Sequence, residues 1–202
     1  GTFSGALTTD GTSATSNSES YDASTADENA VLVENGGTLT MTDGTLTKSG
    51  DDSNGDNCNF YGLNSILLSV GEGSQATVSG TSLSATSEGS NGIFATDSGT
   101  VYANDDTITT TADNSRGLDA TYDGTIVANG MTISTQGNHC AGIATDRGGG
   151  NISVTDSTLS TAGSGSPLLY STGDIEVSGV TGTASGSQIA GMEGLNTILI
   201  ND

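Results

Sequence analysis

QATVSGTSLSATSEGSNGIFATDSGT (residues 75–100), VYANDDTITTTADNSRGLDATYDGT (101–125) and IVANGMTISTQGNHCAGIATDRGGG (126–150) are consecutive segments written on one template. Equivalent residues recur about every 25 positions: Leu83, Ile108 and Ile133; Ile93, Leu118 and Ile143; Gly99, Gly124 and Gly149. A fixed period in the range of roughly 20–50 residues is the signature of a stacked-repeat architecture, and one without helical patterning points to a β-helix. Each period holds three short apolar bursts separated by Gly, Asn, Asp and Ser, which makes one three-sided coil.

Around the middle burst the template is small hydroxyl, aliphatic, small hydroxyl: Ser82-Leu83-Ser84, Thr107-Ile108-Thr109, Thr132-Ile133-Ser134, Thr158-Leu159-Ser160 and, earlier, Thr45-Leu46-Thr47. Neighbours in a strand point to opposite faces, so the aliphatic turns inward and its flanks outward. Coils of equal length pair each strand with its equivalent one turn later, which makes the sheets parallel and in register. Crossovers between parallel strands are right-handed. The expected fold is therefore all-β, a right-handed parallel β-helix of about seven coils of about 25 residues, one of which carries an insertion. Three inward columns are predicted: Met41, Val78, Ala103, Ala128 and Val154; Leu46, Leu83, Ile108, Ile133 and Leu159; and Ile93, Leu118, Ile143 and Leu169.

Outside the template the chain divides as follows. Residues 1–37 read as an amino-terminal cap or first coil, because Ala30-Val31-Leu32-Val33 followed by Gly36-Gly37 matches a third burst and its turn. Residues 38–74 form a coil longer by 12 residues, with Leu68 taken as the equivalent of Ile93 and the excess falling in KSGDDSNGDNCNFYGLNS. Residues 75–174 hold the regular coils, and 175–202 a frayed last coil in which Gly182 stands at a middle-burst site and Ile198-Leu199-Ile200 begins another strand. The whole, 1–202, is expected to be one domain.

With 24 acidic and three basic residues (Lys48, Arg116 and Arg147) the chain carries a formal net charge of -21. That field disfavours nucleic acid and anionic membranes as partners. No apolar run reaches the length of a membrane span. Scarce lysine with abundant Ser, Thr, Asn and Gly fits an extracellular or cell-surface setting. A start at Gly1 rather than methionine fits a mature or excised product.

Candidate sites gather in the insertion. Asp52, Asn54 and Asp56 have the alternate-residue spacing of a calcium loop, but Asn57 stands where glycine is wanted and Leu63 where a glutamate is wanted. Phe60 and Tyr61 are adjacent aromatics in a projecting segment, the kind of place where solenoids bind ligands. The rival reading is a solvated loop with those aromatics folded back as a lid. Cys58 and Cys140 lie on the same side of the solenoid. Their coils are too far apart for direct bridging, so a disulfide is predicted through the insertion. If the bridge does not form, the insertion is expected to be mobile. No catalytic constellation is expected: Arg116 and Arg147 do not stack on one strand, and local pairing with Asp119 or Asp146 accounts for them. The outward hydroxyls beside the middle burst read as β-favourable residues on a solvated sheet.

GTLTMTDGTLTKSGDDS, NFYGLN, RGLDATYDGT, HCAGIATDRGGG and SPLLYSTGDIEVS resemble the adhesin-like repeat proteins of the surfaces of anaerobic bacteria and methanogenic archaea. More loosely, the chain is similar to pectate-lyase-like right-handed β-helices, some of which bind polysaccharide with calcium. The resemblance implies the fold, an extracellular setting and non-catalytic binding or building. Two functions are thus expected: a structural or attachment rod, sheath or filament subunit assembling through its solenoid ends, or a calcium-assisted module for cell-surface or plant polysaccharide that uses the insertion.

Overall fold

In the computed structural model, which describes residues 2–193 and 197–201, three parallel sheets wind around one narrow core. The first sheet has eight strands (Gly5–Asp10, Asn29–Glu34, Leu67–Val70, Ile93–Thr96, Leu118–Ala120, Ile143–Thr145, Leu169–Ser171 and Ala190–Met192). The second also has eight, from Ser13–Asn17 to Thr197–Asn201, and the third has seven, from Ser20–Ala23 to Thr181–Ala184. Every strand pairs in parallel with its equivalents in adjacent turns. The protein is a right-handed parallel β-helix, as the period predicts. It has about eight turns rather than seven. The difference comes from the ends, where Gly5–Asp10 and Thr197–Asn201 add part-turns; the predicted first coil does form three strands over residues 5–23, although their inward positions, Leu7, Ala14 and Tyr21, are only partly buried.

The three predicted columns stand in register and are buried. A further inward column, Leu39, Ala76, Val101, Ile126, Ile152 and Ile175, completes the core. One alignment is corrected. Leu67, not Leu68, pairs with Ile93, and Leu68 pairs with Phe94 on the opposite face. All four residues of Leu67–Val70 are buried, so the strand lacks the in-out alternation that would have fixed its register. Similarly, Gly124 pairs with Gly150 rather than Gly149, because that turn is one residue longer.

The corner between the second and third sheets shows how turns of this kind stack. Asp43, Gly80, Asp105, Gly130, Asp156 and Gly179 occupy successive turns there, all with left-handed backbone. Aspartate and glycine alternate because each carboxylate lies over the next residue in the column. A Cβ on Gly80 or Gly179 would sit 2.5 Å from Oδ1 of Asp43 or Asp156, and one on Gly130 would overlap Asp105 Oδ1. Stacked aspartates would also repel.

Candidate functional site

The insertion is neither a loop nor a strand. Gly55–Tyr61 is a short α-helix lying on the outer face of the first sheet. Asn54 caps it: its side-chain oxygen accepts from the backbone N–H groups of Asp56 (2.9 Å) and Asn57 (3.2 Å). Gly62 ends it in a left-handed conformation, with φ 77°. A Cβ there would meet Leu68 at 2.6 Å and Phe94 at 2.7 Å, so only glycine lets the chain pass this close to the sheet.

What the helix covers explains why it lies down. The outward row of the first sheet runs Leu32, Leu68, Phe94, Asp119, Ala144, Tyr170 from turn to turn. Leu32, Leu68 and Phe94 form a second apolar cluster with Val70 and Phe3, outside the main core. From Phe94 onward the row becomes polar, and the helix answers with polar contacts. Asn91 Nδ2 donates to Cys58 O (3.1 Å), Arg116 donates to Asn59 Oδ1 (2.6 Å) and Thr121 Oγ1 donates to Phe60 O (2.7 Å). The Arg147 guanidinium lies 3.9 Å over the Phe60 ring, and Tyr61 stacks on Tyr122 with ring centroids 5.7 Å apart and planes at 7°. Four consecutive residues are thus fastened to three successive turns.

These contacts overturn the disulfide expectation. Cys58 and Cys140 are both free and both buried. Cys58 faces under the helix, where its thiol donates to Gly55 O (3.2 Å). Cys140 instead occupies a corner ladder: Ser90 N donates to Ser115 Oγ, Ser115 N to Cys140 Sγ and Cys140 N to Ser166 Oγ, at 2.9, 3.1 and 2.9 Å. The cysteine stands where neighbouring turns use serine. Burial raises both thiol pKa values, so neither is a ready thiolate. The insertion is pinned without a bridge, which also corrects the expectation of mobility.

Beneath the helix lies a charge cluster. Arg116 Nε is 3.8 Å from Asp119 Oδ2 and 3.7 Å from Asp146 Oδ2. Arg116 therefore pairs with both acids, while Arg147 engages the Phe60 ring. The Asp119 side chain is fully buried and neither of its oxygens has a hydrogen-bond partner. Burial first, and then repulsion from Asp146, raise the Asp119 carboxyl well above the usual carboxylate range. Burial also raises Asp146. The cluster is closed at Asp119 but opens sideways. Arg116, Asp146, His139 and Tyr170 line a cleft of about 210 Å3. Burial and a hydrogen bond to Glu193 push the Tyr170 hydroxyl up to about 12. His139 is exposed at a corner, in left-handed backbone with φ 56°.

A larger opening flanks the helix on its other side. Phe3, Tyr61, Val70, Thr96, Asp97 and Tyr122 surround about 430 Å3. A second hollow of about 400 Å3 shares Phe3, Val70 and Asp97 and extends the opening past Glu34 and Glu72. Together they form a trough along the corner between the first and second sheets. Of the predicted aromatics, Tyr61 lines it and Phe60 turns away under Arg147. Sequence reading missed Tyr122 and Phe3, which are distant from the insertion along the chain and adjacent to it only in space.

Of the three candidate calcium ligands, Asn54 is occupied as a helix cap, Asp56 is exposed in the first helical turn, and Asp52 packs against Gly89. Among the described residues no group of three or more His, Cys, Asp or Glu converges as a metal site would require. No helix among them is long and apolar enough to cross a membrane. Comparison with protein-family models, with curated proteins and with solved structures finds no match. The class is a parallel β-helix with a helical insertion on its first sheet.

Proposed function

We propose that this chain is a non-catalytic, extracellular attachment element: a rigid solenoid rod, adhesin-like in kind, that assembles by apposition of its ends. The observation that carries this reading is the apolar cross-section at the carboxy-terminal end. Ile189, Met192 and Ile200 are 59%, 53% and 61% exposed there, around a hollow of about 190 Å3 lined by Leu159, Leu168, Val177 and Gly182. Gly182, where the five preceding turns carry leucine or isoleucine, leaves the hollow open. Exposed parallel edges accept further strands of the same direction, whether from another copy or from further coils of the same chain. The first turn of another copy, residues 5–23, offers such strands, and the contact is head-to-tail, so it propagates.

Light scattering of the 202-residue chain, intact and lacking residues 1–30, tests the proposal. Concentration-dependent rods that vanish on deletion, or on Ile200→Asp, are expected. A strictly monomeric intact chain at high concentration refutes it. A second reading, saccharide binding beside the insertion, is favoured by one specific feature, the aromatic-lined trough at Tyr61 and Tyr122.

A further inference from the structure

We propose that the trough between the first and second sheets binds a glycan carrying free amino groups, a glucosamine-type polymer. The inference rests on the saccharide-binding reading and adds the charge of the ligand. Three features carry it.

The first is a flat aromatic surface. Tyr61, 40% exposed, is stacked against Tyr122 and both line the cleft, with Phe3 and Val70 beside them. The helix that presents Tyr61 is fastened at Cys58, Asn59, Phe60 and Tyr61, so the surface is pre-organised and little ordering is needed on binding. The C–H face of a pyranose packs on such rings, and an ammonium over a tyrosine adds a cation–π attraction.

The second is charge. Glu34, Glu72 and Asp97 line the trough, and no basic residue does. Among the described residues the three basic side chains lie outside this lining: Lys48 inside the solenoid, Arg116 among its acids and Arg147 over Phe60, from where its charge reaches the Tyr122 hydroxyl at one end of the trough. Along the Glu34, Glu72 and Asp97 stretch no basic side chain offsets the acids, so uronate polymers are repelled there and amines attracted. Burial and then the neighbouring Asp10 raise the Glu34 carboxyl.

The third is direction. The trough runs across the strands, from Glu34 in the second turn to Tyr122 in the fifth. Each turn advances about 4.8 Å, so an extended polymer lies along the axis past several turns. The strands beside the trough are already paired on both edges. A peptide adding by its backbone finds no free edge there, which favours a saccharide over a basic peptide.

Calorimetric titration of the intact chain uses a glucosamine hexamer, its fully N-acetylated counterpart, an oligogalacturonate and an oligolysine. The glucosamine hexamer is expected to bind at least tenfold more tightly than the acetylated one, with no uptake of the galacturonate. Tyr61→Ala should weaken binding tenfold or more. Because that change also loosens the helix, the paired substitution Glu72→Gln with Asp97→Asn provides an independent arm: it should abolish the preference for the amine and leave the weak affinity for the acetylated hexamer unchanged. Glu176→Gln, on an exposed face of the second sheet, should have no effect. Equal binding of the two hexamers, both weakened by Tyr61→Ala, overturns amine selection and spares the saccharide reading. Binding of neither hexamer overturns both. Binding of oligolysine as tight as that of the glucosamine hexamer, or indifference to Tyr61→Ala and to the paired acid substitution alike, reduces the effect to bulk charge and overturns the proposal.

Discussion

Asp106→Asn should stabilise the protein at alkaline pH and leave it nearly unchanged at acidic pH. Asp106 belongs to a corner column in which a side-chain oxygen accepts the backbone N–H of the turn below. Gly44 N donates to Thr81 Oγ1, Thr81 N to Asp106 Oδ1 and Met131 N to Ser157 Oγ, at 3.2, 2.8 and 2.9 Å. Met131, next in the column, carries no polar side-chain atom, and Asp106 Oδ2 is buried without a partner. Burial dominates over the two backbone hydrogen bonds and raises the carboxyl from 3.8 to about 7. The folded state therefore holds this proton more tightly than the unfolded state. The contribution is fully favourable below about pH 4 and is lost as pH rises through about 7. At about 1.36 kcal/mol per pH unit, the interval from 3.8 to about 7 sets an upper value of about 4 kcal/mol. Asparagine keeps the acceptor for Thr81 and removes the charge. Urea unfolding at about pH 8.5 should show the variant more stable by about 2–4 kcal/mol, shrinking to within about 1 kcal/mol at pH 4.5. An equal gain at both pH values, or no gain at pH 8.5, would refute the assignment.

Gly130→Ala places a Cβ on Asp105 Oδ1 in left-handed backbone and should cost about 2–3 kcal/mol. Gly36→Ala, also left-handed but with nothing within 4 Å, should cost about 1 kcal/mol, and the difference between the two melting curves isolates the overlap. Arg116→Met leaves Asp119 and Asp146 facing each other and frees Asn59. About 3–5 kcal/mol should be lost at neutral pH, with hydrogen exchange rising first over residues 55–61. A thiol reagent should find neither cysteine in the native protein and both after unfolding, and reduction should not change the mass. Ile108→Asp puts an unpaired charge at the centre of the core and should abolish the cooperative unfolding transition seen by circular dichroism.

Lys48 illustrates how far a single sequence can be read. Its column, Ala23, Lys48, Ala85, Thr110, Thr135, Thr161, is small or hydroxyl elsewhere, and the threonines donate across the corner to the carbonyls of Ser115, Cys140 and Ser166. At the mouth of the insertion the lysine reaches Gly50 O (2.7 Å) and Thr25 O (3.1 Å) instead. Burial lowers its ammonium to about 8. From composition it is only one of three basic residues. The insertion is no more legible: its helix is too short to show a 3.6-residue period, and its apolar floor, Leu32, Leu68 and Phe94, lies on strands whose two faces are both buried.

What the sequence determined by itself was the repeat and three of its inward columns. Equal spacing forces parallel, in-register pairing, and alternation within each burst assigns the inward side, so the columns through Ile108, Leu118 and Ala103 follow from periodicity alone. What only the tertiary structure decided was everything that occurs once. The seating of the helix, the sharing of Arg116 with Asp146 of the next turn, the serine-like place of Cys140 and the meeting of Tyr61 with Tyr122 all join residues from different turns. A contact between unlike turns has no period. It arises from the distance that stacking imposes between residues far apart in the chain, and that distance exists only once the solenoid is wound.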